Sequence, residues 1–215
     1  MAKTLYLMRH GQTMLNKQRR IQGWFDSPLT DLGRYQARAA GAELQRRGVK
    51  FDRAICSTSE RCSDTLELVF DGMELPVMPY ARLHGLKEMF YGELDGESER
   101  LACDDPLGCR TYYVPFGGES SDDVRDRVVR TLAAQMEELP EDGVLLAVSH
   151  GGACFNFARA LRTSIRFGNC AAAVLSFDPP APDEQVETVD SLGVEMPADV
   201  AQYAAAFELK EVITP

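Results

Sequence analysis

The stretch Leu5-Tyr6-Leu7-Met8 runs directly into Arg9-His10-Gly11. The same design returns late in the chain, where Val144-Leu145-Leu146-Ala147-Val148 runs into Ser149-His150-Gly151-Gly152. Each is a short apolar run of buried-strand type closed by glycine, where the backbone can turn sharply or let a ligand approach. In open α/β sheets ligands collect at the carboxyl ends of strands. Two of the three histidines in this 215-residue chain fall at such ends. Either one alone reads as a packed core histidine; the pair, each before glycine and each with basic neighbours, points to function.

Working outward, strands are expected at Thr4–Met8, Arg53–Cys56, Val77–Tyr80, Val144–Val148 and Ala173–Phe177, with a weaker one at Phe207–Ile213. Between them lie helical patterns. Thr30 caps a stretch in which Ala37, Ala40, Gly41 and Leu44 share a face, and Gly48 stops it. Thr58 or Ser59 opens a helix carrying Cys62, Leu66 and Val69. Ser120 or Ser121 opens another through Val124, Val128, Leu132 and Met136, and Gly151-Gly152 leads into Phe155–Leu161. This alternation predicts a three-layer α/β/α sandwich around a mainly parallel sheet. Residues 1–215 are expected to form one domain. Residues 93–118, aperiodic and rich in Gly, Asp and Pro, are expected to be a lid loop. The acidic, Pro-containing insertion 178–199 is expected to be flexible or a hairpin.

The formal net charge of −10 works against nucleic acid and anionic membrane as partners, so an anionic substrate needs a local basic pocket. The six cysteines, at 56, 62, 103, 109, 154 and 170, show no metal spacing and read as reduced thiols of a cytoplasmic protein. The first strand starts almost at Met1, so no signal peptide is expected, and no apolar run reaches transmembrane length.

A basic pocket is legible. Arg9 flanks His10, and Arg61 follows the second strand in Ser57-Thr58-Ser59-Glu60-Arg61, where the chain turns into a helix whose first N–H groups suit an anion. Two imidazoles and two guanidinium groups describe a phosphate site. Glu88, in Leu86-Lys87-Glu88-Met89-Phe90-Tyr91-Gly92, has apolar neighbours that allow the burial suited to a proton donor. Arg19-Arg20 reads as a solvated pair able to draw anions inward. A zinc hydrolase reading meets the objection that Arg9 adjoins a candidate ligand. A cysteine phosphatase needs five residues between its cysteine and arginine, and four separate Cys56 from Arg61.

The ordered set of motifs resembles the histidine phosphatase superfamily, the phosphoglycerate mutase-like proteins. It comprises Leu7 to Thr13, Asn16, Ile21 to Trp24, Ser27 to Gly33, Ser57 to Arg61 with Thr65, Leu86 to Glu88 with Tyr91-Gly92, Gly117 to Ser120, and Ser149 to Gly151. The resemblance covers residues 4 to about 177 and implies a phosphoglycerate mutase-like fold. It implies that His10 is the nucleophile, becoming a phosphohistidine, that Arg9, Arg61 and His150 hold the phosphoryl oxygens, and that Glu88 gives and takes the proton. It implies that Gly11, Thr13, Asn16, Gln22, Gly23, Tyr91 and Gly151 bind substrate. No metal and no cofactor are called for, because the arginines carry the positive charge.

Mutases of this family carry a longer, basic insertion between the positions of Glu88 and His150. Here that stretch is short and acidic (Glu93, Asp95, Glu97, Glu99, Asp104 and Asp105), with only Arg100 and Arg110 to grip a second anion. Gly152 stands where mutases usually carry asparagine. Both departures favour a phosphatase acting on a small phosphorylated metabolite. A phosphoglycerate mutase is the alternative, and a non-catalytic phospho-ligand binder a third reading. A homodimer is expected on base rates alone. The tail beyond Phe177 is longer than the family core requires.

Overall fold

The computed structural model describes residues 2–103, 105, 108–163, 165, 167–181 and 184–215; Asp104, named above, and Pro182, within the expected insertion, lie outside them. In chain order the strands and α-helices are β1 (Lys3–Arg9), α1 (Met14–Lys17), α2 (Asp31–Arg46), β2 (Arg53–Ser57), α3 (Glu60–Gly72), β3 (Tyr80–Leu83), α4 (Cys109–Tyr112), α5 (Ser121–Glu137), β4 (Val144–Ser149), α6 (Gly151–Ala160), β5 (Ala172–Phe177), α7 (Ala198–Ala205) and β6 (Phe207–Ile213).

β1 and β4 lie side by side and parallel, Leu5 opposite Leu145 and Arg9 opposite Ser149, so the two His-Gly turns emerge together at one sheet edge. The six-stranded sheet runs β3-β2-β4-β1-β5-β6. β2 and β3 continue the parallel set, and β5 runs antiparallel to both β1 and β6. This is the expected mainly parallel α/β architecture.

Alternate strand residues feed opposite faces. Leu5, Leu7, Leu145, Ala147 and Leu175 pack under α5, α6 and α7. Met8, Cys56, Leu146, Val148 and Val174 pack under α2 and α3. Burying each large apolar side chain stabilises the fold by about 1.5–3 kcal/mol. The caps fall where the sequence places them. Thr30 Oγ1 accepts the Gly33 N–H at 3.0 Å, and Gly48 leaves α2 with φ of +71°. Ser120 and Asp123 form a reciprocal capping box on α5.

One expectation shifts in its bounds, and two segments gain detail. The third strand lies at Tyr80–Leu83 rather than Val77–Tyr80, because Pro79 has no N–H to give a sheet and pairing with β2 starts one residue beyond it. Residues 93–118 hold short 3₁₀ turns and the one-turn helix α4. In 178–199, Val189 bridges Glu195 around a turn, and Asp190 is buried against α5 and α6. The unanticipated α7 follows that turn.

Candidate active site

The carboxyl ends of β1 and β4 deliver His10 and His150, whose rings meet edge-on at 5.3 Å between centroids. The His10 N–H donates to the Ser149 carbonyl at 3.0 Å, tying the two turns together. The His10 ring is 2.7 Å from the Gly11 carbonyl through Nδ1. A carbonyl only accepts, so Nδ1 carries the proton and Nε2 keeps its lone pair. Burial first, then the charges of Arg61 and Arg9, hold the His10 imidazole well below its usual range, so it is neutral at pH 7.

His150 is set the other way round. Arg61 Nε donates to its Nδ1 at 3.2 Å, so Nε2 bears the proton and donates to Ser57 Oγ at 2.8 Å. Burial, then Arg61 and His10, depress its basicity too. The Arg61 guanidinium also donates to the carbonyls of Gly23 and Phe25, each at 2.8 Å, and is fixed along most of its fork.

Glu88 reaches the first turn of α6. Its Oε1 accepts from Ala153 and Met89, both at 2.9 Å, and its Oε2 accepts from Gly152 at 3.0 Å. The α3 N-terminus is likewise occupied: Asp26 accepts from the Glu60 N–H and lies 3.2 Å from Arg61 Nη1. The helix amides expected to receive an anion are therefore held by the protein's own carboxylates. The donors left over are on side chains. Arg9 Nε and Gln22 Nε2 are buried with no hydrogen-bond partner.

A cavity of about 380 Å³ opens above these groups. Seven residues singled out by sequence line it: Arg9, Asn16, Gln22, Gly23, Glu88, Tyr91 and Gly151. His10, Gly11, Thr13, Arg61 and His150 do not line it and are buried. Among them Thr13 Oγ1 donates to Gln22 Oε1 at 2.8 Å, and the Gly11 N–H donates to Thr65 Oγ1 at 3.0 Å. Gly23, at φ +50°, has Asp95 where a Cβ would stand. Arg110 does not line the cavity but pairs with Asp122 at 2.7 Å; Arg100 does not line it either. Among the described residues no group of three or more His, Cys, Asp or Glu could hold a metal ion.

Several contributors were missed from sequence. Asp26 caps a helix 34 residues away and braces Arg61. Asp95 accepts the amides of Trp24 and Tyr91. Arg127 donates to the carbonyls of Gly85, Lys87 and Glu88 while paired with Glu119, and so holds the Glu88 loop. The only sequence signal for Arg127 is an arginine beside the apolar stripe of α5. Arg20, Ile21, Glu99, Ala102 and Tyr113 also line the cavity.

Sheet order and paired His-Gly turns with their arginines define an α/β protein with a basic, histidine-bearing site at one sheet edge. The histidine phosphatase superfamily (branch 1) model matches residues 5–182, and the chain belongs to that family. It is 33% identical over 155 residues to a broad-specificity phosphatase of Saccharomyces cerevisiae, covering 69% of this chain and 66% of that protein. It is 33% identical over 169 residues to a 2,3-bisphosphoglycerate-dependent phosphoglycerate mutase of Mesorhizobium japonicum, covering 75% of this chain and 80% of that one. The structure of a mycobacterial glucosyl-3-phosphoglycerate phosphatase superposes with a TM-score of 0.68 at 28% identity, covering 82% of this chain and 91% of that one. The superfamily's enzymes are phosphatases or mutases, and this chain is an enzyme of that family. Among the described residues no helix is long and apolar enough to cross a membrane.

Proposed function

We propose that the protein is a phosphatase that hydrolyses small phosphomonoesters through a phosphohistidine at His10. The observation that carries this reading is the 2.7 Å bond from His10 Nδ1–H to Gly11, which leaves the Nε2 lone pair free on a neutral ring that feels the charges of Arg61 and Arg9. Nε2 forms a bond to phosphorus as the P–O bond to the leaving group breaks, its electron pair staying on oxygen. Glu88, protonated, gives that oxygen its proton. The phosphohistidine ring is then a cation, and the Gly11 carbonyl faces its Nδ1–H. Glu88, now a carboxylate, takes a proton from water; the water oxygen bonds phosphorus, and the N–P bond breaks to release phosphate and neutral His10. The unpartnered Arg9 Nε and Gln22 Nε2 donors, with Arg61 and His150, receive the phosphoryl oxygens and stabilise the charge of the transition state.

The similarity to a phosphoglycerate mutase supports a second reading, transfer of the phosphoryl group between hydroxyls. Phosphorus NMR with 3-phosphoglycerate and an aryl phosphate separates the two. Inorganic phosphate release that vanishes in His10→Ala supports the phosphatase; conversion of 3- to 2-phosphoglycerate without phosphate release supports the mutase. Activity intact in His10→Ala overturns both. The site is proposed to take a small phosphorylated metabolite rather than nucleic acid or membrane, in a cytoplasmic protein.

A further inference from the structure

The charged residues lining the cavity are Arg9, Arg20, Glu88 and Glu99. Arg9 and Glu88 belong to phosphoryl transfer, which leaves one cation and one anion unassigned. They stand on two segments joined by an isolated antiparallel bridge, with Glu99 at the start of a short 3₁₀ turn. Arg20 bridges Ser98, the Glu99 N–H donates to the Arg19 carbonyl at 3.0 Å, and the Ile21 N–H donates to Glu97 at 2.8 Å. Glu99 thus directly follows Ser98, the bridge partner of Arg20. The Arg20 guanidinium donates to the Gly96 carbonyl at 2.7 Å, which orients it without neutralising it. Among the described residues neither side chain is in an ion pair, whereas Arg110, the other cation considered for a second anion, is paired with Asp122.

An exposed arginine and glutamate on bridged segments could neutralise each other; held apart, each keeps its charge for a ligand. A leaving group with only a carboxylate would meet Arg20 but be repelled by Glu99, and one with only an ammonium would meet the reverse. A leaving group with both charges is complementary to the pair. We infer that Arg20 and Glu99 form the leaving-group subsite, and that the preferred substrates are O-phosphorylated α-amino acids, the carboxylate on Arg20 and the ammonium on Glu99. This rests on the phosphatase reading above.

Four esters with similar primary alkoxide leaving groups test it: O-phospho-L-serine (both charges), 3-phosphoglycerate (carboxylate only), phosphoethanolamine (ammonium only) and glycerol 1-phosphate (neither), with an aryl phosphate as reference. Each kcat/KM is read as a ratio within one preparation, which cancels differences in active fraction. In the wild type, phosphoserine should lead 3-phosphoglycerate and phosphoethanolamine by about tenfold, the worth of one charge-assisted hydrogen bond, and glycerol 1-phosphate by tenfold or more. Arg20→Met should collapse the phosphoserine to phosphoethanolamine ratio towards one, and Glu99→Gln should do so for phosphoserine to 3-phosphoglycerate. A wild type that favours 3-phosphoglycerate or ranks the four alike overturns the subsite, as do variants that leave these ratios unmoved. Absence of phosphate release from every ester, the aryl phosphate included, overturns the phosphatase reading and the subsite with it.

Discussion

The Gly152 N–H donates to Glu88 Oε2 at 3.0 Å, and a Cβ placed on Gly152 would stand 2.6 Å from Glu88 Oε1. The glycine thus both binds the carboxylate and makes room for it. That carboxylate could swing aside only by giving up the amides of Gly152, Ala153 and Met89, which accounts for a side chain at 152 being incompatible with this position of Glu88.

Gly152→Ala is therefore expected to lower turnover while leaving the fold intact. Alanine favours a helix by up to about 1 kcal/mol over glycine, but the displaced Glu88 gives up charge-assisted bonds to buried amides worth about 1.5–3 kcal/mol each, so thermal stability should fall modestly. Displacement of the proton donor should cost roughly 100-fold on an alkyl phosphate and much less on an aryl phosphate, whose leaving group needs little protonation. Steady-state kinetics on both esters, beside a melting curve, checks it; equal losses on the two would remove Glu88 from the acid role.

The pH dependence of stability follows from the two buried imidazoles. Burial, then Arg61, depresses both His10 and His150 below the unfolded value of about 6.5. Above that value neither state binds the protons and the stability is fully present. Below it the unfolded chain binds protons that the native state refuses, so stability falls as pH drops. Urea unfolding at pH 7.5 and 5.5 should show a loss of about 2–3 kcal/mol for the pair, and about half of that loss in His150→Gln. A flat profile over that interval would show that the native histidines bind protons as those of the unfolded chain do.

Asp26→Asn separates the anion's two tasks, capping α3 and bracing Arg61. Loss of its charge at the helix N-terminus should cost about 1 kcal/mol of stability. The released guanidinium should weaken phosphate binding, seen as a several-fold rise in the inhibition constant of inorganic phosphate. A fall in melting temperature with unchanged phosphate inhibition would restrict Asp26 to the cap.

What could be read from sequence and what could not divides along chain separation. His10, Arg9 and His150 were legible because an apolar run, a histidine and a glycine are contiguous, and such runs end at the ligand edge of a parallel sheet. The caps Thr30 and Ser120 were legible because their partners lie three residues on. Asp26, Asp95 and Arg127 were not, because each acts on backbone groups tens of residues away, and nothing local distinguishes them from solvated charges. The burial of His10 and Arg61 outside the cavity lining is a packing result that no motif carries. The amides of α3 were credited to an anion because a helix start is visible in sequence, whereas the carboxylate of Asp26 that fills them, like that of Glu88 on α6, is visible only in three dimensions.

The tail beyond β5 has a structural reason at Asp190. Its Oδ2 accepts from Arg125 at 2.8 Å and from Arg159 at 2.5 Å, and its Oδ1 accepts the amides of Leu192 at 2.8 Å and Val194 at 3.2 Å. Arg125 and Arg159 are among the largest fully buried side chains, and Asp190 is their shared counter-ion, supplied by a turn beyond the residues matched by the family model. Removing one partner of a buried ion pair typically costs about 3–5 kcal/mol, because the other charge stays behind in a low-dielectric setting. Asp122 lies 3.0 Å from Arg159 and 3.6 Å from Arg125 and would compensate in part, so Asp190→Ala should fall near the lower end of that range. Urea unfolding followed by circular dichroism reads this as a lower midpoint at an unchanged slope. Arg159 also holds Asn156 at 2.9 Å, and Asn156 donates to the Gly152 carbonyl at 3.0 Å, which links the tail to the helix turn carrying Glu88. If that link positions the proton donor, Asp190→Ala should also slow alkyl phosphates more than aryl phosphates; an equal effect on both would confine the tail to stability.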